Sequence, residues 1–232
     1  MRDLSDRSEL VDINELIKRT LSYLMADNKE GALLLSDEIE SLVDVVTKTA
    51  RFRAYSEVFY RASCAPKNEK TSKDSGSNQG PDFLDNKLFD SCEKYCVIFS
   101  TLGIEVDRYI KRIMLTDASK AVILDAMFSA YLELMTDKYE AKNIRENHSF
   151  RYAPGYGQID ISYNKIFFDI MGIEKKLGIT VSSGGIFLPQ KSMMGICMIL
   201  PEGENPLEGD KCEGCIKYND CNYRKEDKRC WM

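Results

Sequence analysis

The segment Arg151-Tyr152-Ala153-Pro154-Gly155-Tyr156-Gly157 cannot be regular helix, and it fixes a turn in the second half of a 232-residue chain. Pro154 locks its own φ and pushes Ala153 out of the helical region, while Gly155 and Gly157 admit positive φ and close approach of backbone to a ligand. Two readings follow for the arginine four residues ahead of Gly155. In one, an exposed turn offers a fixed cation and bare amides to a carboxylate. In the other, a tight helix-to-strand turn leaves Arg151 solvated.

Elements on either side of this turn are legible from periodicity. Asp12-Ile13-Asn14-Glu15 is a capping-box pattern opening a helix with Leu16, Ile17, Leu21 and Leu24 at helical spacing. Asp37-Glu38-Ile39-Glu40 opens a second, with Ile39, Leu42, Val43 and Val46 as its stripe, and Val58-Phe59-Tyr60 reads as a short strand. From Ser63 to Asp82 the chain is rich in Ser, Lys, Asn, Asp, Gly and Pro, too poor in apolar surface to offset the entropy of ordering, and it reads as a mobile insertion. Tyr95 to Leu102 is β-prone and a helix follows around Asp107 to Met114. The longest helical pattern runs from Asp117 to Tyr139, capped by Thr116 or Asp117, with Val122, Ala126, Met127, Ala130 and Leu134 on its buried side. After the turn come a helix from about Tyr163 to Met171 and strands over Gly178 to Val181, Gly185 to Leu188 and Met193 to Leu200. Helices early and antiparallel strands late predict an α+β fold, helices packed on a mainly antiparallel sheet.

A formal charge of −5 argues against a nucleic-acid surface. No apolar run has the length of a signal-peptide core or a membrane span, so no membrane partner is expected and the cytoplasm is the expected compartment. In that compartment clustered thiols point to metal or redox chemistry more than to disulfides. Of eight cysteines, Cys212, Cys215, Cys221 and Cys230 form a tail with one C-x-x-C pair and two further thiols. That spacing suits tetrahedral zinc or an iron–sulfur cluster, with a reduced, unliganded tail as the third reading. Cys197 lies in an apolar run and reads as a buried, inert thiol. Cys92 and Cys96 read as one helical face or the start of a strand. His148, the chain's one histidine, has no second histidine or nearby cysteine with which to share a metal and reads as a loop residue.

Beyond the turn, Leu177-Gly178 leads into a hydrophobic strand, and Pro189, Ser192 and Gly195 stand in the pattern P-x-x-S-x-x-G. Together with R-x-A-P-G-Y at Arg151 to Tyr156, these motifs resemble the C-terminal activation domain of cobalamin-dependent methionine synthase. The resemblance is strongest over Arg151 to Ile199 and weaker over Thr101-Leu102-Gly103 and the helix at Leu124 to Tyr139. It implies one activation-domain-like α+β unit over residues 1–205, carrying the insertion at about 63–82, with the Cys-rich tail at 206–232 outside the family pattern. It also implies S-adenosylmethionine as ligand: Arg151 would pair with the methionine carboxylate, Ala153 and Gly155 would belong to the backbone grip, and Tyr156 would lie against the adenosine part or else pack in the core. That family carries an acid at the position of Ser129. A serine supplies no charge to the ligand's ammonium or sulfonium, leaving Glu133 or an N-terminal carboxylate to provide it.

The sequence lacks D-x-H-x-x-G, a strand-borne G-x-G-x-x-G and G-x-x-x-x-G-K, so it shows no means of holding its own corrinoid or nucleotide phosphates. Ser182, Ser183 and Ser192 lack a base partner for nucleophilic chemistry. The resemblance therefore implies a stand-alone reductive-activation module for a corrinoid-binding methionine synthase or related methyltransferase. It would present S-adenosylmethionine for remethylation of cob(II)alamin held by that partner, once a flavodoxin or ferredoxin has reduced it. Two alternatives stand beside it: a non-catalytic module that binds a corrinoid protein, and a small metal or iron–sulfur redox protein working through the cysteine tail.

Overall fold

A computed structural model describes residues 11–61, 79–81, 92–156, 159–203 and 219. In chain order the elements are α1 (Ile13–Tyr23), α2 (Lys29–Thr49), β1 (Arg53–Arg61), β2 (Gln79–Gly80), β3 (Lys94–Thr101), α3 (Ile104–Met114) and α4 (Ala118–Asn143). There follow α5 (Tyr163–Ile170), α6 (Ile173–Leu177), β4 (Thr180–Val181), β5 (Phe187–Leu188) and β6 (Ser192–Ile199). The expected α+β fold forms. One sheet has the order β2-β1-β3-β6, antiparallel at β1–β3 and β3–β6, with the short β2 parallel to β1, and β4–β5 make a separate antiparallel pair.

Three helices start on side-chain caps. Asp12 accepts from the Glu15 amide at 3.2 Å, Asn28 from Gly31 at 2.7 Å and Asp117 from Lys120 at 3.0 Å. Each satisfies an amide that the first helical turn leaves unpaired.

The two faces of the main sheet are set by strand alternation. Tyr95, Val97 and Phe99 of β3 stand opposite Met198, Ile196 and Met194 of β6, and with Phe59 they pack against Phe167, Phe168, Met171, Ile173, Leu177 and Phe187 from α5, α6 and β5. The other face carries Cys96, Ile98 and Ser100 opposite Cys197, Gly195 and Met193. It packs under α4, where Ser100 Oγ lies 2.8 Å from Thr136 Oγ1. Helices α1, α2 and α3 cover the far side of α4, so that helix is buried on most of its circumference. The thiols of Cys96 and Cys197, direct cross-strand partners, are reduced; burial pushes Cys96 up to about 12 and Cys197 upward as well. Thiolates are disfavoured there, in keeping with an inert role.

Several boundaries differ from expectation, each for a physical reason. Helix α2 begins at Lys29 and not near Asp37, because Asn28 supplies the cap while Leu33 and Leu34, both exposed, break the apolar stripe of its first turns. Strand β1 extends well beyond Val58-Phe59-Tyr60. The segment read as an insertion contributes β2 at its end, pairing Gln79 with Tyr60 and Gly80 with Arg61, while residues 63–78 and Asp82 lie outside the described residues. Val122 is 52% exposed and not on the buried side, whereas its neighbours Ala121, Ile123 and Leu124 are buried, since a helix wrapped by several partners has no single apolar stripe to read. Helix α6 was missed: it is a five-residue helix bounded by Gly172 and Gly178, both left-handed. Cys92 precedes β3 and Cys96 lies within it, so the pair belongs to a strand region and not to a helix. No described helix is long and apolar enough to cross a membrane.

Candidate functional site

The chain after α4 runs along the free edge of β6. The Ser149 and Tyr152 amides donate to Met198 and Ile196 carbonyls at 2.9 Å each, and the Ile196 amide returns a bond to Tyr152 at 2.8 Å. Alternation along this edge puts Tyr152 against the aromatic core and Arg151 on the opposite face, toward α4. There the arginine stem crosses β6 at Gly195. A Cβ built on Gly195 would stand 2.1 Å from Arg151 Cγ and 2.3 Å from Cδ. The glycine is required because the arginine lies on it.

Arg151 is neither solvated nor bare. Its side chain is 12% exposed; Nη2 donates to Asp137 Oδ1 at 2.8 Å and Nη1 donates to Glu140 Oε2. Burial alone works against the guanidinium charge, but the Glu140 and Asp137 carboxylates outweigh it and hold the arginine pKa above its ordinary value. Neither acid was singled out from the sequence.

These two acids end a polar line along α4: Asp125, Ser129, Glu133, Asp137 and Glu140, at intervals of four, four, four and three. Side chains at that spacing share one helical face. Lys191 caps its start, 2.8 Å from both Asp125 Oδ1 and Ser129 Oγ. The position where an acid was expected thus meets a lysine. In the middle, α1 contributes Tyr23, whose hydroxyl donates to Glu133 Oε1, and Arg19, which lies 3.8 Å from Glu133 and 2.7 Å from Asp137 and also pairs with Glu15 at 2.8 Å. Burial, then the charge of Glu133, pushes the Tyr23 hydroxyl well up and keeps it a neutral donor, and the Tyr156 hydroxyl adds to the shift. His148 closes the line, with Nε2 3.3 Å from Glu140 Oε1 and Nδ1 2.8 Å from the Glu146 carbonyl.

The turn itself is as the glycine chemistry requires. Gly155 has φ +88 and is exposed, and its amide donates to the Ile159 carbonyl at 2.8 Å, while the Tyr156 amide donates to Ala153 at 3.1 Å. Both amides are engaged within the turn, so neither is bare. Tyr156 is 70% exposed, which removes the core reading of this ring. The three positions of P-x-x-S-x-x-G also acquire reasons. Pro189 follows a cis peptide in the turn before β6, Ser192 Oγ donates to Thr101 Oγ1 at 2.8 Å, and Gly195 lies beneath Arg151. Asp107 of α3 steadies that turn by accepting from the Gln190 amide at 2.8 Å.

Arg151 from the segment after α4, Glu133 and Asp137 from α4, and Arg19 and Tyr23 from α1 are thereby gathered in one network, with Ser129 and Lys191 paired farther along the same face of α4. Arg19, Tyr23, Asp137 and Glu140 were missed. The signal that could have found the α4 acids is a polar residue at every fourth position of a helix otherwise rich in apolar residues. Gly157 and the tail cysteines Cys212, Cys215, Cys221 and Cys230 lie outside the described residues.

No family model matches the chain, and no curated protein matches it. Among solved structures it is similar to the MetH reactivation domain bound to AdoHcy, at 17% sequence identity and a TM-score of 0.58, over 83% of this chain and 77% of that one. The chain thus has the fold of that reactivation domain, helices packed with a small antiparallel sheet.

Proposed function

We propose that this protein is an activation module for a corrinoid-dependent, methionine synthase-like methyltransferase, presenting S-adenosylmethionine for remethylation of cob(II)alamin after reduction. The observation that carries the reading is the pairing of Arg151 with the α4 acids Asp137 and Glu140, five residues ahead of the exposed Tyr156, in a fold shared with a domain solved with AdoHcy. In this reading Arg151 receives the amino-acid carboxylate, Ala153 and Gly155 shape the backbone around it, and Tyr156 lies against the adenosine part. Asp137 and Glu140 accept from Nη2 and Nη1 of the Arg151 guanidinium, so the ligand carboxylate binds there by taking the place of one of them.

S-adenosylmethionine supplies an electrophilic sulfonium methyl. The chain's own groups bind and orient it, and the gain is proximity, an encounter made effectively intramolecular. The cobalamin would belong to a partner, a corrinoid-binding methionine synthase or methyltransferase, with a flavodoxin or ferredoxin as electron donor. In the same reading Cys212, Cys215, Cys221 and Cys230 hold zinc or an iron–sulfur cluster, for the spacing reason given above.

A second reading, a corrinoid-protein binding module without methyl transfer, is favoured by one observation: Lys191 pairs with Ser129 and Asp125 on α4, where the family carries a carboxylate for the ligand's cation. Mixing the protein with S-adenosylmethionine, a low-potential reductant and a cobalamin-loaded synthase lacking its activation domain separates the two. Faster remethylation of the corrinoid, followed by its visible spectrum, is expected under the first reading. An unchanged rate together with complex formation supports the second.

A further inference from the structure

The guanidinium of Arg151 already carries two counterions, so a ligand carboxylate cannot simply add to it. The two acids differ in their hold. Glu140 is 15% exposed and also faces His148, whereas Asp137 is 41% exposed. Asp137 also has a second cation: its Oδ2 lies 2.7 Å from Arg19 Nη1 while its Oδ1 accepts from Arg151 at 2.8 Å. It can release Arg151 without becoming an unpaired charge. Glu140 would leave a carboxylate that is 15% exposed with no second full cation among the ion pairs of the described residues, His148 alone standing beside it there, which is far more costly.

We propose that Asp137 is the exchangeable counterion of Arg151: an incoming carboxylate takes its place on Nη2, Asp137 stays on Arg19, and Glu140 keeps the guanidinium oriented over Gly195. The inference rests on the reading that the ligand's amino-acid end goes to Arg151, and it makes Asp137 a specificity-determining residue. The surrounding charge narrows the ligand class. Lys18, Arg19 and Arg151 are set among Glu15, Glu133, Asp137 and Glu140, three cations against four carboxylates, leaving one negative charge in excess. A simple carboxylic acid increases that excess. A carboxylate carried with an ammonium and a sulfonium brings one positive charge in excess and lowers it. The site therefore favours a zwitterionic amino acid with an additional cation over its neutral thioether counterpart.

Calorimetric titration of S-adenosylmethionine and decarboxylated S-adenosylmethionine into the wild type, Asp137→Asn, Asp137→Glu and Arg19→Met tests this. Removing the competing carboxylate should tighten S-adenosylmethionine about threefold to fivefold in Asp137→Asn, the range of one half-exposed ion pair. The decarboxylated ligand should bind that variant no more tightly than the wild type. Asp137→Glu should resemble the wild type. Arg19→Met removes the fallback cation, so it should weaken S-adenosylmethionine and not its decarboxylated form. A merely structural role for Asp137 would weaken both ligands together. If the wild type binds S-adenosylmethionine and Asp137→Asn binds it equally or less well, the exchange is overturned and the proposed function stands. If no form of the protein binds S-adenosylmethionine, the proposed function falls and takes the exchange with it.

Discussion

Gly195→Ala is expected to destabilise the protein by about 1–3 kcal/mol, the usual cost of forcing extra volume into a packed site, and to abolish ligand binding at Arg151. The new methyl would stand 2.1 Å from Arg151 Cγ and 2.3 Å from Cδ. Either the strand or the arginine must move. Gly195 is held in register with Ile98 in the middle of β6, so the strand is the stiffer of the two. The arginine would leave its place over the sheet and lose both Asp137 and Glu140. Urea denaturation should show a lower midpoint with an unchanged slope, the signature of a stability change without loss of compactness. A variant with wild-type midpoint and wild-type binding would contradict the placement of the arginine stem on the glycine.

Arg151→Met is expected to cost about 2–4 kcal/mol, close to the penalty for breaking a buried ion pair but reduced because Asp137 is partly solvated. The loss comes mainly from Glu140, left with His148 as its remaining neighbour among the ion pairs described. Removing that acid as well should recover part of the stability. Arg151→Met with Glu140→Gln should therefore be less destabilised than the two single changes summed, a coupling of the kind that neighbouring charges give in a double-mutant cycle. Additive losses would mean that the arginine and the glutamate do not depend on each other.

Much of the fold was legible because its elements carry local marks. Asp12 and Asp117 cap where the sequence pattern puts them, and β3 and β6, buried on both faces, read as continuous apolar runs. The turn at Gly155 followed from glycine and proline alone. What local pattern could not show was the state of Arg151. Its neighbours come from a helix 11 and 14 residues earlier and from a strand beyond it, and only the antiparallel edge at Tyr152 and Ile196 decides that the side chain faces α4. The same holds for Arg19 and Tyr23. They lie on the apolar-patterned α1, and their meeting with Glu133 and Asp137, more than a hundred residues away, depends on how α1 packs against α4. Resemblance pointed to an acid near Ser129; packing puts Lys191 there and moves the available carboxylates one and two turns along the helix.

In the proposed function S-adenosylmethionine is held by its carboxylate on the Arg151 guanidinium, whose planar fork lets Glu140 and the ligand bind side by side. Titrating that ligand into the wild type and Arg151→Lys measures it most directly, because lysine keeps the charge, and with it much of the pairing to Asp137 and Glu140, but not the fork. Saturable binding to the wild type and about tenfold weaker binding to the lysine variant, the worth of a charge-assisted hydrogen bond, is the expected result. Equal affinity in the two proteins, or no saturable binding by a folded wild type at millimolar ligand, would contradict it.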